Sequence, residues 1–322
     1  MQPPEVKKIY IEADVPAALS SAERIAQAIW GMAGGVLSPI YWLIAHLHGA
    51  PGLQFHRESA WLGMKLLLKR RPPTTLGSVH HLLFFPMDST RYFEFDFAWQ
   101  CFSSVEIHRY LDVSSPRLFP ALLVNKHRNL RATLINPDKT DLAITANLMI
   151  ANGLATRCEF YENTIETAPL PPETFDAITS ISVIEHIPDD LQAVRSMWKL
   201  LRPGGRLFLS VPCAAEACDQ YINVNYYDLP MDQDGFVLFQ HIYDEARLRE
   251  NIFSITGQPV RFKVYGEKRN GFLAENRSRK RSDRVYYPFW REPFTMGREF
   301  KYFDSITALP GEGVMGLEFI KS

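Results

Sequence analysis

The stretch Phe175-Asp176-Ala177-Ile178-Thr179-Ser180-Ile181-Ser182-Val183-Ile184-Glu185-His186-Ile187, with Leu200-Leu201-Arg202-Pro203-Gly204-Gly205-Arg206-Leu207 shortly after it, decides how the chain is read. Ala177–Val183 is an apolar run of strand length interrupted by Thr179, Ser180 and Ser182, and Leu191–Leu201 has helical spacing. Pro203-Gly204-Gly205 then ends the helix before a second apolar run, Arg206–Val211. Glycine takes the left-handed conformation cheaply, so the turn between them can be tight. Working outward, the alternation persists. His108–Val113, Ala132–Asn136 and Cys158–Tyr161 read as strands, with helices predicted over Leu118–Asn129 and Leu142–Asn152. Toward the C-terminus, Asp244–Phe253 reads as helix, and Arg261–Tyr265 and Val314–Lys321 read as strands. Parallel neighbours need crossover connections, so this order predicts an α/β fold with a mostly parallel sheet covered by helices on both faces.

The two motifs together resemble the fourth strand, and the turn into the fifth, of class I S-adenosylmethionine (SAM) methyltransferases. His241-Ile242-Tyr243-Asp244-Glu245 and the closing Val314–Lys321 are similar to that family's late helix and last strand. The resemblance implies a Rossmann-like fold with a seven-stranded, mostly parallel sheet whose last strand is antiparallel. It also implies SAM at the carboxyl ends of the first strands, where diverging loops leave a crevice. Residues 101–322 would form this domain, with an Arg- and aromatic-rich insertion over 275–301, and residues 1–100 a mainly helical extension or cap.

The positions that would meet the cofactor depart from the family's pattern. Its glycine-rich first loop is replaced by Leu111-Asp112-Val113-Ser114-Ser115-Pro116-Arg117, which makes Asp112, Ser114 and Ser115 the expected cofactor residues there. Asn136 stands where relatives place the ribose-binding acid, with Asp138 close behind. Asn163 and Thr164 occupy the adenine position, and Ser182 lies at the end of the fourth strand. Small polar groups at all these corners favour retained SAM binding. The alternative is a methyltransferase-fold protein that has lost methyl transfer and serves as a binding or assembly module.

His186, beside Glu185, is the candidate general base, because a histidine titrates near neutrality; the competing role is a structural bond to nearby backbone. The acceptor would be a small molecule. Arg91 and Glu94 on an entry helix, Tyr226 and Tyr227 in a long loop, and His241 opening the late helix are its candidate contacts. Arg279 and Arg281 stand among Tyr286, Tyr287, Phe289 and Trp290. Guanidinium forks match carboxylate and phosphate oxygens, so these arginines suggest a lid and an anionic acceptor, the equal alternative being a solvated, mobile basic loop.

Composition sets the frame. The 322 residues are 46% hydrophobic and 22% charged with a net charge of -1, which fits one large domain with an N-terminal addition and argues against a chain built to bind nucleic acid. Four cysteines and no secretory leader pattern predict a cytoplasmic protein. His46, His48, His80 and His81 lack carboxylates or thiols at ligand spacing, so no metal site is expected. Ser20-Ser21-Ala22-Glu23 predicts a helix start. Ile25–His56 contains no Asp, Glu, Lys or Arg; Gly31, Gly34, Gly35, Ser38 and Pro39 are expected to split it into two short helices in a buried layer. Ser59–Arg71 is basic and amphipathic. Packing on its own domain is the favoured reading there, and contact with a membrane surface the lesser one.

Overall fold

The computed structural model describes residues 6–13, 17–69 and 75–322; the Pro72-Pro73 break and Arg70 and Arg71 lie outside them. The strands are β1 (Lys7–Ile11), β2 (Arg109–Val113), β3 (Arg131–Ile135), β4 (Cys158–Tyr161), β5 (Phe175–Ile181), β6 (Leu201–Cys213), β7 (Cys218–Ile222), β8 (Val237–Ile242), β9 (Arg261–Glu267), β10 (Phe300–Phe303) and β11 (Gly313–Ile320). The main sheet runs β10-β9-β11-β6-β5-β2-β3-β4. β4, β3, β2, β5 and β6 are parallel. β11 is antiparallel to both β6 and β9, so β9 points the same way as the parallel set. The expected Rossmann-like sheet is therefore present, with an eighth strand. β10 pairs antiparallel with β9 on the outer edge, a pairing that its short, half-exposed sequence did not announce.

Every residue of β5 is buried, as expected of a central parallel strand covered on both faces. The Pro203-Gly204-Gly205 turn lies inside β6. Phe175 pairs with Leu201 but Ala177 with Arg206, so the turn is absorbed as a bulge. Gly204 has φ +74°, and its N–H donates to the Lys321 carbonyl at 2.7 Å, tying the bulge to the end of the chain.

The N-terminal helices are α1 (Ser21–Leu47), α2 (Leu53–Lys69), α3 (Leu76–Phe84) and α4 (Arg91–Phe102). They are followed in the α/β unit by α5 (Leu118–Lys126), α6 (Lys139–Asn152) and α7 (Asp190–Leu200). α2 and α4 share one core with the sheet domain, since Phe55 lies 5.0 Å from Phe95, 5.6 Å from Trp99 and 5.9 Å from Phe119. The predicted start of α1 is present as a reciprocal cap: Ser20 accepts from the Glu23 N–H, and the Glu23 carboxylate accepts from the Ser20 N–H at 2.8 Å.

The split of the uncharged segment is corrected. α1 is one continuous helix with Pro39 inside it, and large apolar residues along it face outward. Its glycines are contact points and not breaks. A Cβ on Gly34 would collide with the Trp290 ring, and one on Gly35 would lie 3.4 Å from Phe84. Ser38 Oγ also donates to the Phe84 carbonyl at 3.3 Å.

A second small sheet, β1-β7-β8, replaces part of the expected long loop after β6. β1 runs parallel to β7, and β8 antiparallel to it. His241 accordingly belongs to β8 and does not open a helix, which starts at Glu245.

Candidate functional site

β2, β3 and β5 end at an open cleft of 1770 Å³ whose lining includes Val113, Ser114, Asn136, Ser182 and Val183. Pockets that hold drug-sized ligands occupy about 300–1,000 Å³, so there is room for a nucleoside and a second molecule. Pro116 and Arg117 form part of the wall and leave the hollow open.

The first loop takes a glycine-like path without glycine. Ser114 has φ +52°, in the left-handed region that β-carbons disfavour, and both its N–H and Oγ donate to the Ile135 carbonyl, at 2.9 and 3.1 Å. Ser115 and Asp112 lie under this loop and not in the cleft. Ser115 Oγ accepts from the Ile181 N–H at 3.1 Å, and its own N–H donates to Asp112 at 3.2 Å. Asp112 also accepts from Tyr110 and Thr179, and burial pushes its carboxyl up to about 7. Both residues hold the loop in shape, which corrects their expected contact with a cofactor.

At the end of β3, Asn136 is committed on both sides. Its Oδ1 accepts from the Asp138 N–H at 2.9 Å, and its amide donates to Asp141 at 3.0 Å. Asp138 caps α6, accepting the N–H groups of Thr140 and Asp141 at 2.8 and 3.1 Å. Both bonds go to Oδ1, so Oδ2 is the oxygen left to accept from a ligand hydroxyl. Asp141 closes the corner by pairing with Arg117. Thr164 lines the cleft with Ile165 and Glu166; Asn163 is not among the lining residues. Asp141, Arg117 and Glu166 were not expected as site residues. The visible signal was acids spaced along a helix start and one more beside Thr164.

Glu94 is fully buried beneath the cleft. It accepts from Ser182, from Ser210 at 2.7 Å and from the Arg91 guanidinium at 2.9 Å, so it holds Arg91 and Ser182 at the lining without reaching the surface itself. Glu185 is buried beside it, with Oε2 lacking a hydrogen-bond partner among the described residues. Burial pushes its carboxyl up to about 8, and the neighbouring Glu94 charge adds to that. His186 lines the cleft, its ring tilted against that of Tyr227 at a centroid separation of 4.7 Å. Its Nδ1 faces the Phe239 carbonyl, which can only accept, so Nδ1 carries the proton and Nε2 is left as an acceptor. Burial holds this imidazole down to about 4, neutral across the physiological range.

Of the expected acceptor contacts, Arg91, Tyr226 and Tyr227 line the cleft. His241 does not. It is buried in the small sheet, with Nδ1 2.7 Å from Asp219 and 2.8 Å from the Arg247 guanidinium. Arg279 and Arg281 stand exposed on the helix Phe272–Ser282, outside the cleft. The insertion is docked and not poised as a lid: Trp290 packs 5.1 Å from Trp30 of α1, and Glu292 accepts from the Ser89 N–H at 2.9 Å. Phe289 is its member of the cleft wall.

The family model described as a methyltransferase domain matches residues 111–209, which run from β2 into β6 and carry the crest of the cleft. Over these residues the α/β unit is similar to methyltransferase domains. Sequence relatives agree with this over short stretches. A ubiquinone biosynthesis O-methyltransferase of Aliivibrio fischeri is 35% identical over 80 residues, covering 24% of this chain and 34% of its own length. A ubiquinone/menaquinone biosynthesis C-methyltransferase of Hahella chejuensis is 28% identical over 97 residues, covering 28% and 39%. The chain thus spans about a third of the curated relatives it matches. Among solved structures, geranyl diphosphate methyltransferase in complex with GPP and sinefungin aligns at a TM-score of 0.48 and 10% identity, covering 76% of this chain and 81% of that one. The family match leaves the helices of the first hundred residues outside.

Proposed function

We propose that this chain is a cytoplasmic SAM-dependent methyltransferase acting on a small molecule. The observation that carries the reading is the cleft at the crest of the matched domain, where a left-handed Ser114 and the uncommitted Oδ2 of Asp138 supply the close backbone approach and hydroxyl acceptor that an adenosyl group needs. These residues fit SAM: Ser114 and Ser182 would flank its amino-acid part, Asp138 its ribose, and Thr164, Ile165 and Glu166 its base. When bound, SAM supplies an electrophilic methyl group on a sulfonium.

The protein's part is to orient the acceptor and receive its proton. His186 Nε2, 3.8 Å from Glu185 Oε1, is an acceptor beside the cleft, and its tautomer is fixed by the Phe239 carbonyl. A group that ionises near 4 takes a proton weakly, so we assign His186 chiefly to aligning the acceptor's hydroxyl or amine for in-line attack. Tyr226 and Tyr227 complete that wall.

The acceptor we propose is apolar, not the anion expected from the arginine-rich insertion. Arg91 and Arg117 are the guanidinium groups among the lining residues, and both already face carboxylates, Glu94 and Asp141. The lobe beyond the cofactor end is walled by Leu66, Leu82, Phe85, Phe95, Leu118 and Phe289.

Calorimetric titration with SAM tests the central claim. Micromolar to sub-millimolar binding is expected, weakened in Ser114→Val, whose branched side chain resists a positive φ. Failure to bind at millimolar SAM would remove the enzymatic reading and leave the fold.

A further inference from the structure

α1 carries no charged side chain from Ile25 to its end at Leu47. It is about 40 Å long at 1.5 Å per residue. Only 17% of its most apolar window is buried, so it is not the covered core helix that its composition would otherwise suggest. The inner face, at Gly34, Ser38 and Ala45, packs on the insertion and α3. The outer face is equally apolar: Ile25, Ile29, Met32, Val36, Ile40, Leu43 and Leu47 recur at three- and four-residue spacing and all stand exposed, Val36 at 75%. On α2, Trp61, Met64 and Leu68 are exposed on one face with Arg57 and Lys65, an arrangement in which an indole and long basic stems meet apolar surface.

We propose that this helical layer seats the protein on the surface of a lipid bilayer, with the outer face of α1 immersed among the acyl chains. A second copy of the chain is the competing occupant, but a protein interface is rimmed by polar and charged groups, and α1 offers no charged side chain between Ile25 and Leu47 in any direction. Lipid requires no such rim. The flanking Arg57 and Lys65 suit anionic headgroups.

The placement also gives the acceptor a source, and this part rests on the methyltransferase reading above. Leu66, Gly77 and Ser78, which line the apolar lobe, belong to the same helices as the exposed Leu67, Leu68 and Leu76. An apolar acceptor dissolved in the membrane would enter along that wall without crossing water.

Flotation of the full chain with phosphatidylcholine vesicles, with and without phosphatidylglycerol, tests the proposal. The wild type should rise with the vesicles, more strongly with the anionic lipid and less so in high salt. The variant Ile29→Glu, Val36→Glu, Leu43→Glu should partition at least about tenfold less, because each exposed carboxylate opposes insertion. It should keep its circular dichroism, since these positions do not pack inward, and keep SAM binding by calorimetry. A wild type that stays in the dense fraction with both vesicles overturns the proposal, as does a triple variant that floats equally. So does a lipid-free dimer that the triple variant converts to monomer, which would assign the face to a second copy. Loss of SAM binding in the wild type alone would sink the methyltransferase reading and leave the docking result standing.

Discussion

Glu185→Gln separates a buried neutral carboxyl from a buried charge. In the folded protein burial places this group near 8, against an ordinary value of 4.5 for an exposed glutamate, outweighing the pull of Arg91 and Ser182 toward ionisation, and Oε2 has no hydrogen-bond partner among the described residues. The folded state therefore holds a proton that the unfolded chain has released, and stability falls as pH rises from 4.5 through 8. With one pH unit worth about 1.4 kcal/mol, the loss is about 2 kcal/mol by pH 6 and approaches about 5 kcal/mol by pH 9. Glutamine at this position keeps the volume and cannot ionise. The stability difference, variant minus wild type, should accordingly shift by about 3 kcal/mol in the variant's favour between pH 6 and pH 9. Buried Asp112 and the other titrating groups are common to both proteins and cancel in that difference. Urea unfolding followed by tryptophan fluorescence at the two pH values measures it. A difference constant to within about 0.5 kcal/mol over this range would refute the placement of a neutral glutamic acid beneath the cleft.

Three further outcomes follow from the same geometry. Asp138→Asn retains a good helix cap but removes the charged hydroxyl acceptor, so SAM affinity should fall by about 10- to 100-fold with little change in melting temperature; unchanged affinity in calorimetry would place the ribose elsewhere. Because His186 stays neutral down to about 4, kcat/KM with an identified acceptor should show no descending limb near pH 6.5, and such a limb, abolished by His186→Ala, would show the imidazole titrating in the free enzyme. Gly34→Ala puts a methyl group into the Trp290 ring and should cost about 1–3 kcal/mol in denaturant unfolding, whereas stability equal to wild type would mean that α1 does not pack as described.

The parts of this molecule legible in its sequence are those where local chemistry and tertiary demand coincide. Phe175, Ala177, Ile178 and Ile181 are apolar because both faces of β5 are covered, and Gly204 stands where the backbone turns left-handed, so strand and turn could each be read from residue type. The small sheet was hidden because β1 and β7 pair across most of the chain, and no local period reports a partner that distant. The cofactor corner was half legible. The identity of Asp138 announced a carboxylate, but Ser115 and Asp112 hold the loop from below, and only the path of the backbone shows that one serine faces the cleft while its neighbour faces Ile181. The glycines of α1 misled for a related reason. A glycine costs a helix about 1 kcal/mol in isolation, yet at Gly34 that cost is set against an indole that no larger residue would admit. The same substitution pattern that reads as a break in the helix thus lets its inner face come close to Trp290. Since small residues carry that inward contact, the large apolar ones are left for the outer face, where something other than this chain's own core must cover them.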